Sequence, residues 1–445
     1  MNRASTSLSQ RPRIKVAYIL HRFPYLTETF IMREMHSLRD NNVDLHIFSL
    51  LSPIHNIVHK EAKELAPLAR YSPFVSLEIV LALLFFLIWS PIRFARSFVK
   101  TIRQTWREPR LLLRTLVLFP KTVFYARQMQ RLEVQHIHAH FVWLEGIAAG
   151  IVSELTGVTF SIHPHAFGLF SRDQQDVRVE LENATKIVTV SRYHQDYIEN
   201  LCPRIRAGDI QIVHYGVDTQ LFRPLRNPLK NNPPRILSVG RLVEKKGHKY
   251  LVDACALLKQ RGVAFQCEIV GSGKKERKEL QTRIDNHGLA DCVTLLGAQG
   301  QEEILKLCQT SDVLALACIR ARDGDQDGMP NVLIEAMACG LPVVTTRIAG
   351  IPEIVKDGYN GRLALDRDVG SLADGIEDLI QDEYARLEFG RRARETVVQH
   401  FEIKSNAARL AHVFRSIVYH TEIDEDSAAE SIESRELVDS VSEGE

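Results

Sequence analysis

Asp327-Gly328-Met329-Pro330-Asn331-Val332-Leu333-Ile334-Glu335-Ala336-Met337 stands between an apolar run, Val313 to Ala317, and the stop signal Gly340-Leu341-Pro342. The run before it reads as a strand, Ile319 to Met329 as a polar loop containing glycine, and Asn331 to Cys339 as a helix. Pro330 suits the first helical position, because its fixed φ matches a helix and its missing N–H would find no partner there anyway. Gly340 and Pro342 then end the helix. Strand, loop and helix in this order form the repeating unit of a parallel α/β sheet.

The same alternation extends outward in both directions. Upstream, Lys15 to Leu20, Val43 to Leu50, His136 to His140, Thr159 to His163 and Lys186 to Val190 read as strands, with a helix over Thr27 to Arg39. Residues 219–234, TQLFRPLRNPLKNNPP, carry Pro and Asn without a sustained period and read as a linker. Beyond it, Arg235 to Val239, Gln266 to Val270, Val293 to Gly297, Val313 to Ala317 and Pro342 to Thr345 form a second series of strands. A chain of 445 residues is too long for one ordinary core, so two doubly wound α/β domains are expected. Their bounds are 1–218 and 235–400, with 219–234 between them; no repeat of solenoid length is present.

Hydrophobic content of 45% and charged content of 25% are those of a globular protein and exclude a fibrous or fully disordered chain. The formal charge of +1 conceals an asymmetry: Thr421 to Glu445 holds ten acidic residues and one Arg, a net of −9, leaving about +10 on the rest. That tail, 421–445, is too poor in large apolar residues to build a core and is expected to be disordered. The seven cysteines are odd in number and show no paired metal spacing, so they read as buried core residues of a reducing compartment. Met1 to Pro12 is polar and lacks an apolar signal segment, so a cytoplasmic location is expected. No nucleic-acid partner is expected.

One segment interrupts the alternation. Ile79 to Trp89 is an unbroken apolar run of eleven residues, ended by Ser90-Pro91. As a helix it covers roughly half of a ~30 Å hydrocarbon core, too little to cross a bilayer. Arg93, Arg96, Lys100, Arg103, Arg107, Arg110 and Arg114 follow, interleaved with Phe94, Phe98, Trp106 and Leu111 to Leu113. Cations and apolar groups at helical spacing suit a helix lying on an anionic membrane surface. The insertion near 75–130 is therefore expected to place the protein peripherally on the inner face of the cytoplasmic membrane. A helical hairpin with a solvated basic face remains the alternative.

A nucleotide-activated sugar needs cations and backbone N–H groups for its diphosphate, a carboxylate for its ribose and further polar partners for its sugar. Doubly wound domains gather such groups at the carboxyl ends of strands, beside helix N-termini. Gly328, Met329, Asn331 and Val332 offer amides there, and Glu335 lies one turn beyond Asn331 on the same face, placed to reach a ribose. Asp327, before the helix, can meet the sugar. Ser238-Val239-Gly240-Arg241-Leu242 closes a strand and Glu244-Lys245-Lys246-Gly247-His248 opens a helix, which puts Arg241 and Lys246 where diphosphate clamps belong. Asp323-Gly324-Asp325 imitates a metal-holding acidic triplet but reads as a loop with solvated acids. Gly271-Ser272-Gly273 is an incomplete dinucleotide signature, since Glu276 stands where a third glycine belongs. His136, His138 and His140 face one side of their strand, yet the sequence around them offers no acid or Cys, so no metal site is expected.

Taken together these residues resemble the retaining glycosyltransferases of family four, which have the GT-B fold of two Rossmann-like domains facing a central cleft. The resemblance is carried by Asp327 to Val344, Gly350-Ile351-Pro352-Glu353, Asp357 to Gly361, Ser238 to Arg241 with Lys246-Gly247, and Gly216-Val217-Asp218 with Phe222 and Pro224. Thr27-Glu28-Thr29-Phe30-Ile31 with Arg33-Glu34, and His136 to Phe141, resemble the branch that builds bacterial exopolysaccharide, including colanic-acid-type transferases. The resemblance implies that Glu335 binds the donor ribose, that Arg241 and Lys246 bind its diphosphate, and that Asp327 contacts the donor sugar. It implies that His165, in Ser161-Ile162-His163-Pro164-His165-Ala166, lies beside the reacting sugar, and that residues 401–420 return to the N-domain. It further implies a nucleotide-sugar substrate, a lipid-linked oligosaccharide or glycan acceptor, and neither cofactor nor metal. Since no carboxylate is placed as a covalent nucleophile, a front-face route is expected, with the leaving phosphate taking the acceptor proton. Two departures stand out: the first hallmark acid is Asp327 rather than Glu, and Gly168 occupies a place where relatives commonly carry Asp. They leave open a non-catalytic sugar-nucleotide or glycan-binding scaffold as the alternative.

Overall fold

The computed structural model describes residues 13–25, 28–54, 60–226 and 231–420. The acidic tail, the polar start, Thr27 and residues 227–230 of the expected linker lie outside them. The described chain divides into two compact units. One holds the residues up to Thr189, Gln195–Gly216 and those from Ile403 onward; the other holds Val190–His194 and Val217–Glu402.

The first unit is built on seven strands: β1 (Ile14–Arg22), β2 (Val43–Leu51), β3 (Ala69–Arg70), β4 (His136–His140), β5 (Thr159–His163), β6 (Lys186–Thr189) and β7 (Ile210–Ile212). They pair in the order β3-β2-β1-β4-β5-β6-β7, parallel throughout. Six strands form the second sheet: β8 (Arg235–Val239), β9 (Gln266–Val270), β10 (Val293–Gly297), β11 (Val313–Leu316), β12 (Val343–Thr346) and β13 (Gly361–Ala364). Their order is β10-β9-β8-β11-β12-β13, again parallel. Helices cover both faces of each sheet, so central strands such as β4 and β11 are buried along their whole length. In each sheet the winding reverses once, between β1 and β4 and between β8 and β11. A crevice opens at the carboxyl ends of such strands, the usual ligand position in open α/β sheets.

Strands β3, β7 and β13 went unread in the sequence, having only two, three and four residues. Residues 219–226, the first part of the expected linker, belong to the second unit, as do Val217 and Asp218, which were expected in the first. Phe222 is fully buried, and the Arg394 guanidinium donates to the carbonyls of Thr219 (2.8 Å), Phe222 (2.6 Å) and Ala338 (2.7 Å). Helix Ile403–Tyr419 belongs to the first unit, where Phe414 is buried with Tyr18, Met35 and Leu38. All seven cysteines are buried and unpaired.

The insertion forms three helices, Leu77–Trp89, Pro91–Thr105 and Pro109–Arg131, with a bend of 113° between the first two. Helix Pro91–Thr105 buries Ser97, Thr101 and Thr105. The Thr101 and Thr105 hydroxyls donate to the carbonyls of Ser97 (2.8 Å) and Thr101 (2.9 Å), which makes that narrow polar face tolerable inside. The large apolar residues stay outside: Leu77, Leu81, Ile88, Trp89, Ile92 and Trp106 are each more than half exposed. No single described helix is long and apolar enough to cross a membrane.

Candidate functional site

In the second unit the loop after β8 and the loop after β11 meet. Residues Glu244–Lys246 form a tight 3-10 turn, and Gly247, at φ +63°, starts helix His248–Gln260. A Cβ on Gly247 would lie 1.7 Å from the Ala317 carbonyl oxygen, so only glycine lets this turn press against the end of β11. That approach delivers two lysines to Asp327. Lys246 Nζ lies 2.6 Å from Asp327 Oδ2; Lys245 Nζ lies 3.5 Å from Asp327 Oδ1 and 3.0 Å from Asp325 Oδ1. Burial by itself would raise the Asp327 carboxyl, but Lys246 and then Lys245 outweigh it and hold the group at about 2. Asp327 is therefore a committed anion, and its first partner is a lysine. Asp323-Gly324-Asp325 is a turn: Asp323 Oδ1 accepts the Asp325 amide at 3.0 Å, and Asp325 serves Lys245.

Helix Asn331–Ala338 starts one residue later than expected. Pro330 has ψ 120°, extended, and is the capping residue, with its carbonyl accepting from the Leu333 amide at 3.0 Å. The amides of Gly328, Met329, Asn331 and Val332 find no acceptor among the described residues. Six of the eight helix residues are buried; Asn331 and Glu335, one turn apart, are the two that are partly exposed. The loop before the helix is pinned from the Val190–His194 segment. Gln326 donates to the Tyr193 hydroxyl at 2.8 Å, and Glu353 accepts the amides of Arg192 and Tyr193, each at 2.8 Å. A Cβ on Gly328 would fall 1.9 Å from the His194 ring, itself held by Ser191 Oγ at 2.6 Å. Arg241 is exposed at the end of β8 and makes no ion pair among the described residues. Arg241, Lys246, Asp327, Gly328, Met329, Asn331, Val332 and Glu335 thus lie on the loops that follow β8 and β11 and on the helix after the second. Lys245 was not among the expected site residues, but its side chain is only 5% exposed.

His165 belongs to the first unit and is buried. Its Nε2 is 2.9 Å from His140 Nδ1 and its Nδ1 2.6 Å from the Tyr215 hydroxyl, so both ring nitrogens have protein partners. His140 Nε2 in turn lies 3.1 Å from Glu34 Oε1, which accepts from the Tyr18 hydroxyl at 2.8 Å. The three strand histidines do share one side of β4, and helix Thr29–Arg39 brings Glu34 to them. The expectation that they lack an acidic neighbour is therefore corrected: the acid comes from a distant stretch of chain. Gly168, at φ +93°, explains the second departure. A Cβ there would lie 2.6 Å from the Val142 carbonyl oxygen, so this backbone has no room for Asp.

Residues 223–396 match the family described as glycosyl transferases group 1. The amylovoran biosynthesis glycosyltransferase AmsK of Erwinia amylovora is 40% identical over 182 residues, 41% of this chain and 44% of that protein. The putative colanic acid biosynthesis glycosyltransferase WcaL of Salmonella typhimurium is 36% identical over 209 residues, 47% of this chain and 51% of that protein. The chain thus spans about half the length of these curated relatives. Among solved structures, a Rickettsia africae glycosyltransferase aligns with a TM-score of 0.69 at 16% identity, covering 91% of this chain and 99% of that one. Anabaena HepE, solved in complex with UDP and glucose, aligns with a TM-score of 0.65 at 18% identity, covering 91% of this chain and 100% of that one.

Proposed function

Since residues 223–396 carry a glycosyl transferases group 1 domain and both sheets have the GT-B winding, we propose that the protein is a retaining glycosyltransferase of bacterial exopolysaccharide or lipopolysaccharide synthesis. It would move a sugar from a nucleotide-sugar donor to a lipid-linked oligosaccharide or glycan. The observation that carries this reading is the meeting of the loops after β8 and β11, which bring Lys246, exposed Arg241 and the amides of Gly328, Met329, Asn331 and Val332, without acceptors among the described residues. Cations and a helix N-terminus are what a leaving diphosphate requires, and they act with no metal. Glu335, one turn along, is placed for the ribose. HepE, with its bound UDP and glucose, supports a nucleotide-sugar donor, and AmsK and WcaL support an exopolysaccharide product.

Asp327 is held by two lysines and is not a free nucleophile. This favours front-face displacement, in which the departing phosphate takes the acceptor proton. The incoming diphosphate competes with Asp327 for Lys246, and the freed carboxylate is then available to the sugar hydroxyls. His165, buried in the first unit, is the candidate for orienting the reacting sugar. The exposed apolar groups of 77–106, beside Arg93, Arg96 and Arg103, dock the enzyme on the anionic inner face of the cytoplasmic membrane, where a lipid-linked acceptor would be met.

The test is transfer itself. Purified full-length protein is incubated with a panel of nucleotide sugars and a bacterial glycolipid extract, and the product's anomeric configuration is read by NMR. A glycolipid product with the donor's configuration supports the proposal; an inverted product overturns the mechanism. Nucleotide-sugar binding with no transfer to any acceptor would favour the scaffold.

A further inference from the structure

The first unit holds a second constellation that the transfer reaction does not use. Glu34, His138, His140 and His163 each present one ligand atom, and these four atoms lie within 4.8 Å of one another. Their placement follows from the fold. His138 and His140, two apart on β4, share one face of the sheet. His163 stands opposite His140 in the β4/β5 register, and Glu34 descends from helix Thr29–Arg39.

Hydrogen bonding accounts for only part of this cluster. Glu34 and His140 satisfy each other at 3.1 Å, and His138 Nδ1 meets Ser161 Oγ at 2.7 Å. His138 Nε2, however, is fully buried and has no hydrogen-bond partner among the described residues. A buried polar atom of this kind needs an explanation. A tetrahedral ion with nitrogen and oxygen ligands at ~2.1 Å spaces them about 3.4 Å apart, so a slight contraction of the cluster completes a site. Around it the other polar atoms are already held. Ser161 fixes His138 through Nδ1, His165 meets His140 Nδ1 at 2.9 Å, and the Tyr18 hydroxyl donates to Glu34 at 2.8 Å. Such second partners orient metal ligands and set their tautomers.

We propose that Glu34, His138, His140 and His163 bind one divalent first-row transition-metal ion of the Zn²⁺ type. Three imidazoles and one carboxylate are a donor set suited to that class. The site shares no residue with the donor set of the second unit, and its existence does not depend on the transferase reading. Metal on His140 Nε2 leaves the proton on Nδ1, which then donates to His165 Nε2. The ion would therefore fix the tautomer of His165 and stiffen the floor beneath it.

Untagged full-length protein, stripped with a chelator and dialysed, is titrated with Zn²⁺ by calorimetry and with Co²⁺ by visible absorption. The expected result is one ion per chain, the d–d absorption of tetrahedral Co²⁺, and a raised melting temperature. His138→Asn and Glu34→Gln should abolish it, and Ser161→Ala, which touches only the second partner, should weaken it about 10–100-fold. If a ligand variant fails to fold, zinc-edge X-ray absorption of the wild-type complex decides, with three imidazoles and one carboxylate oxygen expected. No uptake by wild-type protein, uptake unchanged in His138→Asn, or a coordination shell lacking imidazole overturns the proposal.

Discussion

The two units wind their sheets alike and put different chemistry at the same place. In each, the strand order reverses between the first and fourth strand, and the side chains at that reversal converge. At β8/β11 they are lysines, an aspartate and helix amides; at β1/β4 they are imidazoles and a glutamate. The difference teaches that winding decides where a ligand can sit, while a few residues at strand ends decide which ligand. It also separates two kinds of buried charge. Asp327 with Lys245 and Lys246 is a buried ion-pair cluster that, on the proposed function, a diphosphate would open. Glu34 with its histidines is a network that leaves one buried nitrogen, His138 Nε2, without a partner among the described residues.

Several substitutions can break this contrast. Lys246→Ala should have the largest effect, lowering the transfer rate about 10²–10³-fold, as loss of a charge-stabilising donor does. It also strips Asp327 of its nearer partner and leaves it only Lys245, 3.5 Å away; breaking a buried ion pair costs up to about 3–5 kcal/mol. The double variant Lys246→Ala/Asp327→Asn should regain melting temperature without regaining transfer. Glu335→Ala should weaken nucleoside diphosphate binding roughly 10–100-fold, the range for a hydrogen bond to a charged group. His165→Asn, in the other unit, should slow transfer while leaving that affinity unchanged, which calorimetry with UDP and GDP would show. Equal losses of affinity in Glu335→Ala and His165→Asn would erase the distinction between the units.

Acid sharpens the comparison from the stability side. Burial holds His194 at about 4 against its ordinary 6.5, and burial followed by Lys246 does the same to His248. The unfolded chain therefore takes up protons first as the pH falls. The stability tied to these two rings is intact above about 6.5 and is lost as pH drops through 4, about 2 kcal/mol for each by pH 5. Denaturant titrations of wild type, His194→Gln and His248→Gln between pH 7 and 4 would detect it, with the variants showing a flatter fall. The smallest effect belongs to the insertion. Trp89→Ser with Ile92→Ser should reduce binding to anionic vesicles about tenfold without moving the melting temperature, because both side chains already face water.

Much of the fold was legible because its strands are short, mostly apolar runs between turn signals, the histidine-rich β4 being the exception in composition. Strands β4, β5, β8, β9 and β10 fall on the expected residues, and the short edge strands carried too few residues to announce themselves. In the second unit the site was legible as well, since its groups lie in contiguous strand–loop–helix stretches whose geometry follows from local rules. Lys245 escaped because a 3-10 turn can bury one of two adjacent lysines, which charge alone does not reveal. Glu34 escaped for a longer-range reason: it is 106 residues from His140 in the chain, and only the pairing of β1 with β4 unites them. Helix Pro91–Thr105 inverts the usual pattern by burying hydroxyls bonded to their own backbone and exposing its large apolar groups, so periodicity could not say which face was inside.

The central claim is that the β8/β11 crevice takes a nucleotide sugar by exchanging the Asp327–Lys246 pair for its diphosphate. Thermal denaturation of full-length wild type and Lys246→Ala/Asp327→Asn against a nucleotide-sugar panel tests it most directly. One donor, at 100 times its dissociation constant, should stabilise the wild type by about 2.7 kcal/mol and leave the double variant unmoved. A panel in which no nucleotide sugar shifts the wild type, or in which the double variant shifts equally, would contradict the account.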